Sequence, residues 1–290
     1  MLYIVTPTYN RAKELCILYK TLKSQTCLDF KWLVVDDGST DETPLLIAKF
    51  QEDSCVAIDY LKKDNGGKHT AYNLALDYMS KIDCHIVVDS DDWLAMDAVE
   101  QILQDLEKTS NKEIGIVYPR YGRNSSPQWL SDNVKYVSIP DIKLKYGLSI
   151  ETAIVIKNLF IDQLRLPSFE GEKFLSEEIF YIMLSEFGKF LPLNRRIYFF
   201  EYLEHGLTNN LFHLWKKNPK STYLLFKERK KYILQNLSGF NRIVELFKVS
   251  LNEQALSLAT SKNENIPQEL SVGERMLKPL AYLFYLKRYK

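Results

Sequence analysis

The chain has 290 residues, 46% hydrophobic and 26% charged, which is enough to bury a full core and excludes a disordered chain. No apolar run approaches the ~18 residues needed to span a bilayer, so any membrane contact is expected to be peripheral. The formal net charge of +1 hides a split: Leu207 to Lys290 carries 15 Lys and Arg against 6 Asp and Glu, and the residues before it 23 against 31. A basic tail on an acidic body suits phosphate or an anionic membrane surface. Cys16, Cys27, Cys55 and Cys84 show no paired metal spacing and read as reduced core residues. The opening MLYIVTPTYN runs straight into a strand with no signal-peptide pattern, which predicts a cytoplasmic protein.

The first half alternates strand and helix. Leu2 to Thr6 is an apolar run, and Leu15, Leu18 and Leu22 then recur at helical spacing. KWLVVD (Lys31 to Asp36) reads as a second strand and stops at DDGSTDE, a cluster of turn formers. Thr43 as N-cap with Pro44 at the first helical position predicts a helix to about Gln51. Cys55 to Leu61 is a third strand. Ala71, Leu74, Ala75 and Tyr78 form the apolar stripe of a helix over Lys68 to Met79, and Cys84 to Val88 is a fourth strand ending on Asp89. Strand-like runs follow at Ile114 to Tyr118, Val134 to Ile139 and Ile154 to Ile156. Ser176 is a helix N-cap ahead of Phe180, Met183, Leu184 and Phe187, with Gly188 as the stop. The tail is helical. This order implies an α/β fold with a mostly parallel sheet covered on both faces. In such sheets ligands bind beyond the carboxyl ends of the strands. Four polar loops fall there: Pro7 to Arg11, Asp36 to Ser39, Asp64 to Lys68 and Asp89 to Asp92.

Each loop has a chemical reading beside a plain one. In an extended chain, Asp89 and Asp91 point to one face and can share a hard cation, while Asp92 points elsewhere. Without a cation or protons two such carboxylates repel. An acidic turn before a helix accounts for the same letters. Asp36 and Asp37 can accept hydrogen bonds from a base or a ribose, or serve the turn alone. Asn65, Gly66, Gly67 and Lys68 before a helix offer free N–H groups and a cation to phosphate, without the spacing of a P-loop.

Taken together, VTPTYNR, VVDDGSTDET, NGGKHTAYN and VVDSDD, in that order, resemble the signature of the family 2 glycosyltransferases, strongly over residues 2–105 and weakly over 105–206. The resemblance implies a GT-A (Rossmann-like) fold and an inverting, nucleotide-sugar-dependent enzyme. Residues 1–110 would bind the donor, 111–206 the acceptor, and 207–290 would form a helical basic extension. Carried over residue by residue, Pro7, Tyr9, Arg11, Asp37, Lys68 and Ser90 would bind the donor, with Tyr9 beside the base. Asp91 would be the principal ligand of Mn2+ or Mg2+, supported by Asp89. The catalytic base would be Glu178, with Glu177 as the alternative, in FLSEEIFYIML. His205 lies where related enzymes approach the diphosphate or metal. The chain departs from the family at Tyr72, where an arginine often precedes the asparagine of the third motif.

The implied reaction is transfer from a nucleotide-sugar, a UDP-sugar by family habit, to a glycan or lipid-linked saccharide in cell-surface polysaccharide synthesis. Two rivals stay open: a sugar nucleotidyltransferase, against which TPTYNR lacks glycine, and a non-catalytic nucleotide- or sugar-binding module. LKPLAYLFYLKRYK, at the end of the tail, suits either an interfacial helix on a membrane face or a helix packed on protein. No base-reading motif accompanies the basic charge, so nucleic acid is not an expected partner.

Overall fold

The computed structural model describes residues 1–123, 126–201, 210–260 and 277–290. In chain order the strands are β1 (Leu2–Thr8), β2 (Phe30–Asp36), β3 (Ile58–Lys62), β4 (Cys84–Val87), β5 (Trp93–Leu94), β6 (Glu113–Pro119), β7 (Tyr121–Gly122), β8 (Thr152–Lys157), β9 (Lys189–Pro192) and β10 (Tyr198–Phe200). Seven of them form one sheet in the order β3-β2-β1-β4-β8-β6-β9, and β5-β10-β7 form a small second sheet. Only β8 runs antiparallel to its neighbours in the large sheet. The carboxyl ends of β1, β2, β3, β4, β6 and β9 therefore share one rim.

Helices α1 (Ala12–Lys23), α2 (Thr43–Asp53), α3 (Lys68–Tyr78), α4 (Ala98–Glu107), α5 (Ile139–Leu144) and α6 (Glu177–Phe187) accompany these strands. All seven residues of β1 are buried, as expected of a central strand covered on both faces. Leu15, Leu18 and Leu22 of α1 are fully buried in the same core as Trp32 and Ile47. Trp32 donates its indole N–H to Thr6 Oγ1 at 2.9 Å, which satisfies the one polar atom that its burial would otherwise strand.

Three sequence expectations shift. Thr43 is the first residue of α2 and not its cap, which is Glu42; Asp41 accepts the Thr43 N–H at 3.0 Å, doing the work expected of Thr43. The buried face of α3 is His69, Ala71, Tyr72, Ala75 and Leu76, while Tyr78 is exposed; the stripe is rotated because Tyr72 finds a buried partner for its hydroxyl in His85 at 2.6 Å. Val134 to Ile139 is not a strand. Val137 makes a single bridge to Phe190, and Pro140, lacking an N–H for a ladder, sits in the first turn of α5. The four cysteines are free, as expected, but half-buried.

The chain divides into two compact units: Met1–Pro167 with Met183–Tyr202, and Ser168–Ile182 with Leu203–Lys290. The division falls inside α6. In the second unit, α7 (Leu211–Lys217), α8 (Pro219–Asn236), α9 (Gly239–Thr260) and α10 (Lys278–Tyr289) bury Trp215, Leu225, Phe226, Ile233 and Leu256. Glu172 caps α8, accepting the backbone N–H groups of Lys220 and Ser221, both at 2.8 Å. The tail helix α10 buries Ala281, and its Arg288 stacks over Phe212 at 4.6 Å and bonds Asn252. Leu280, Tyr282 and Leu283 of α10 remain exposed. Among the described residues no helix is long and apolar enough to cross a membrane.

Candidate active site

The rim is built from loops that hold one another. After β1 the chain reverses at Asn10, whose φ is 52°. Asn10 Oδ1 accepts the N–H groups of Thr40 at 2.8 Å and Asp41 at 3.3 Å, and its own N–H donates to Ser39 Oγ at 2.9 Å. The first loop is thus tied to the second. Pro7 is buried within β1, and Tyr9 is exposed. Arg11 lies 3.3 Å from Glu14 and 3.7 Å from Asp91.

Asp36 and Asp37 at the end of β2 are both buried, and both carboxylates are engaged. Asp36 accepts the Ser39 N–H at 2.6 Å and the Tyr60 hydroxyl at 2.5 Å. Asp37 accepts the N–H groups of Gly66 at 2.9 Å and Gly67 at 2.7 Å, and Lys63 Nζ at 2.8 Å. Gly67 has φ 98°, a conformation that glycine adopts without the usual Cβ penalty. The turn at Gly38 is equally restricted, since a Cβ there would stand 2.8 Å from the Asn65 nitrogen.

Residues 89–92 depart from the extended arrangement. The Asp92 N–H donates to the Asp89 carbonyl at 3.1 Å, closing a turn, so the side chains no longer alternate. Asp89 Oδ1 accepts Lys68 Nζ at 2.5 Å, and Oδ2 accepts Arg120 Nη1 at 3.1 Å. Asp92 shares that Arg120 nitrogen at 3.4 Å and accepts the Tyr198 hydroxyl at 2.7 Å. Asp91 faces Arg11 instead, and Ser90 is buried. Burial pushes the Asp89 carboxyl up, but Lys68 and Arg120 outweigh it and hold the group well below the usual carboxylate range. For Asp92, burial and then the Asp89 charge win over Arg120 and Tyr198, and its value is pushed up to about 7. Three acids on four residues are therefore not equivalent.

Asp89 and Asp91 suit a hard divalent cation. Their side chains are 24% and 30% exposed, they present carboxylate oxygens, and each already faces a positive group carried by a part-exposed side chain, Lys68 and Arg11. Asp92, 6% exposed beneath Tyr198, does not. Among the described residues no three His, Cys, Asp or Glu side chains converge as a closed metal site, so water and ligand oxygens would complete the shell. His205 lies outside the described residues.

In the second unit, Glu177 and Glu178 open α6. The Glu178 N–H donates to Ser176 Oγ at 3.4 Å, a loose version of the expected cap. Arg229 of α8 grips both Glu178 oxygens, its Nε standing 2.5 Å from Oε1. Glu177 accepts the Tyr181 hydroxyl at 3.0 Å.

Tyr72, where the family often has arginine before the asparagine of the third motif, is buried against His85. Asn73 holds the Leu166 backbone through both amide atoms, at 2.8 and 2.9 Å. The residues that sequence reasoning missed are Lys63, Arg120, Tyr198 and Arg229. Arg120 had one available signal: a lone arginine directly after the VYP end of β6, on the rim where the other polar loops lie. Tyr198 and Arg229 had none.

The seven-stranded sheet, its helices and the rim loops define a GT-A-type fold. A crystal structure of Staphylococcus aureus TarS 1–349 with UDP-GlcNAc superimposes with a TM-score of 0.61 at 17% identity, covering 100% of this chain and 81% of that one. The mannosyltransferase PcManGT from Pyrobaculum calidifontis, in complex with GDP-Man and Mn2+, gives 0.57 at 15% identity, covering 98% and 86%. Residues 3–161 match the family described as Glycosyl transferase family 2, and the chain belongs to that family. Chondroitin synthase from Pasteurella multocida is 27% identical over 261 residues, 87% of this chain but 26% of its own length. The chain thus spans about a quarter of that relative.

Proposed function

We propose that the chain transfers a sugar from a UDP-sugar to a saccharide hydroxyl, with inversion at the anomeric carbon and with Mn2+ or Mg2+ bound at Asp89 and Asp91. The observation that carries this reading is the acidic turn at the end of β4, bracketed by Lys68, Arg11 and Arg120 on the rim where a GT-A-type sheet binds its ligand. The names of the relatives and neighbours, a chondroitin synthase and a protein crystallised with UDP-GlcNAc, support a UDP donor and a polysaccharide product.

Pro7, Tyr9, Arg11, Asp37, Lys68 and Ser90 form the proposed donor cradle. Asp37 acts by holding the Gly66–Gly67 backbone, and Lys68 and Arg11 exchange their carboxylate partners for diphosphate oxygens. When bound, the cation neutralises charge on the departing diphosphate. Glu178 takes the proton of the acceptor hydroxyl, with Glu177 as the alternative. The hydroxyl oxygen forms the new bond to the anomeric carbon, and the old carbon–oxygen bond breaks with its electron pair leaving on UDP. The acceptor is a glycan or lipid-linked saccharide at a cytoplasmic membrane face, which the exposed Tyr282 and Leu283 of α10 would meet.

The test is UDP release from a panel of UDP-sugars, with and without Mn2+, for the wild type and Asp91→Asn. Metal-dependent release in the wild type that Asp91→Asn abolishes without unfolding is expected. Equal release by a folded Asp91→Asn protein overturns the metal assignment, and UDP binding with no turnover on any acceptor favours a binding module.

A further inference from the structure

Arg120 is a rim cation that lies outside the four motifs, and it differs from the motif cations Arg11 and Lys68. Its side chain is 12% exposed, against 37% for Arg11 and 42% for Lys68. It follows β6 directly, and its backbone N–H donates to the Glu151 carbonyl at 2.9 Å. Its Nε donates to the Thr152 carbonyl at 3.0 Å, and its guanidinium carbon lies 4.2 Å from the centre of the Tyr198 ring. Two backbone anchors and one ring thus leave Nη1 aimed at Asp89 and Asp92. Tyr198 completes the bracket, with its hydroxyl donating to Asp92 and accepting the Asp89 N–H at 3.1 Å.

A guanidinium keeps its charge at any physiological pH and fixes its donors in a planar fork. Placed behind the turn, such a group does two things. It compensates the carboxylate that a single divalent cation would not reach, and it holds Asp89 by one oxygen so that the other faces Lys68.

We propose that Arg120 is the positioning residue of the acidic turn: braced on β8 and Tyr198, it orients Asp89, and Asp92 behind it, before any donor arrives. This rests on the reading of Asp89 and Asp91 as the site of the cation–diphosphate. On this reading Arg120 contacts neither donor nor cation. It acts through Asp89, as the outer partners of metal-binding carboxylates generally do, where loss of such a partner costs about 10- to 100-fold in metal affinity or activity.

The experiment titrates UDP into the full chain by calorimetry, with and without Mn2+, for wild type, Arg120→Lys and Arg120→Met, and follows donor KM and kcat in parallel. Mn2+ is expected to tighten UDP binding to the wild type. In Arg120→Lys that Mn2+-dependent gain falls about tenfold or more, because an ammonium keeps the charge but cannot span Thr152 and Asp89 together, while UDP affinity without Mn2+ stays within about twofold. Thermal melting checks the fold, and the Lys variant carries the test if Arg120→Met does not fold. A folded Arg120→Lys protein with the full Mn2+-dependent gain overturns the proposal. Equal losses with and without Mn2+ also overturn it, since they mark a general structural role. The site reading fails separately, in the wild type, if Mn2+ brings no gain at all.

Discussion

The carboxylate of Asp37 accepts the backbone N–H of Gly67 at 2.7 Å, joining the end of β2 to the N-cap of α3 across thirty residues of chain. With Gly66 and Lys63 on the same carboxylate, this acid organises the loop that presents Lys68. Hydrogen bonds to a buried charge are the strong kind.

Asp37→Asn replaces an acceptor by an NH2 group among three donors. The expected cost is about 2–3 kcal/mol, read from the midpoint of denaturant unfolding, together with weaker UDP binding. An unchanged midpoint would show that the loop holds without the carboxylate.

Glu178 and Glu177 separate by isosteric replacement. Glu178→Gln is expected to lower turnover by roughly 10²–10⁴ while UDP affinity stays the same, and Glu177→Gln to keep most of its activity. The reverse pattern moves the base to Glu177. Loss in neither variant removes the pair from the chemistry.

His85 is expected to make part of the stability sensitive to acid. It is buried between the Tyr72 hydroxyl and Asn158 Oδ1, each at 2.6 Å. Asn158 also donates its amide N–H to the Ser80 carbonyl, so Oδ1 faces the ring, Nδ1 carries the proton and Nε2 accepts. Burial lowers the His85 value to about 4, against the Asn158 hydrogen bond. The unfolded chain, near 6.5, therefore binds the extra proton first as pH falls. The part of the stability that neutral His85 carries is expected to be full above about 6.5 and to be lost down to about 4, by roughly 3 kcal/mol; the raised Asp92 value acts in the opposite direction over this window. His69, also lowered by burial, adds in the same direction as His85. Denaturant melts across this window test it: relative to His85→Gln, the wild type should lose stability as pH falls, and identical slopes in the two proteins would remove His85 from the pH dependence.

Asp105, fully buried on α4, is gripped by Arg195 through two bonds of 3.1 and 3.0 Å, by Lys108 at 2.8 Å and by the Tyr118 hydroxyl at 3.2 Å. Burial alone would raise its value, but Arg195 and Lys108 bring it below the usual range. Asp105→Ala is expected to cost about 1–3 kcal/mol, because the buried Tyr118 hydroxyl loses its acceptor, while Arg195 and Lys108, 41% and 56% exposed, are left to water. A double-mutant cycle with Arg195→Ala should show coupling, and strict additivity would deny it.

The rim loops were legible because a strand end is a local event. VVDDGST and VVDSDD announce themselves as an apolar run followed by turn formers, and α1 by its leucine spacing. The turn at Asp89 to Asp92 misled for the same local reason: the period of an extended chain was applied where one hydrogen bond, Asp92 N–H to Asp89 carbonyl, curls the backbone. Likewise Tyr78 looked like part of the α3 stripe, while the buried ring was Tyr72, whose hydroxyl needed the distant His85.

By itself the sequence determined the alternation of elements, the sheet they make, the four loops on its rim and the family to which they belong, since each is carried by a short run of residues. Tertiary structure alone decided which acid of VVDSDD is buried, which cation braces it and which basic residue of α8 grips Glu178. Those outcomes depend on burial and charge pairing between residues 28 to 106 positions apart, and no local periodicity encodes a partner at that distance.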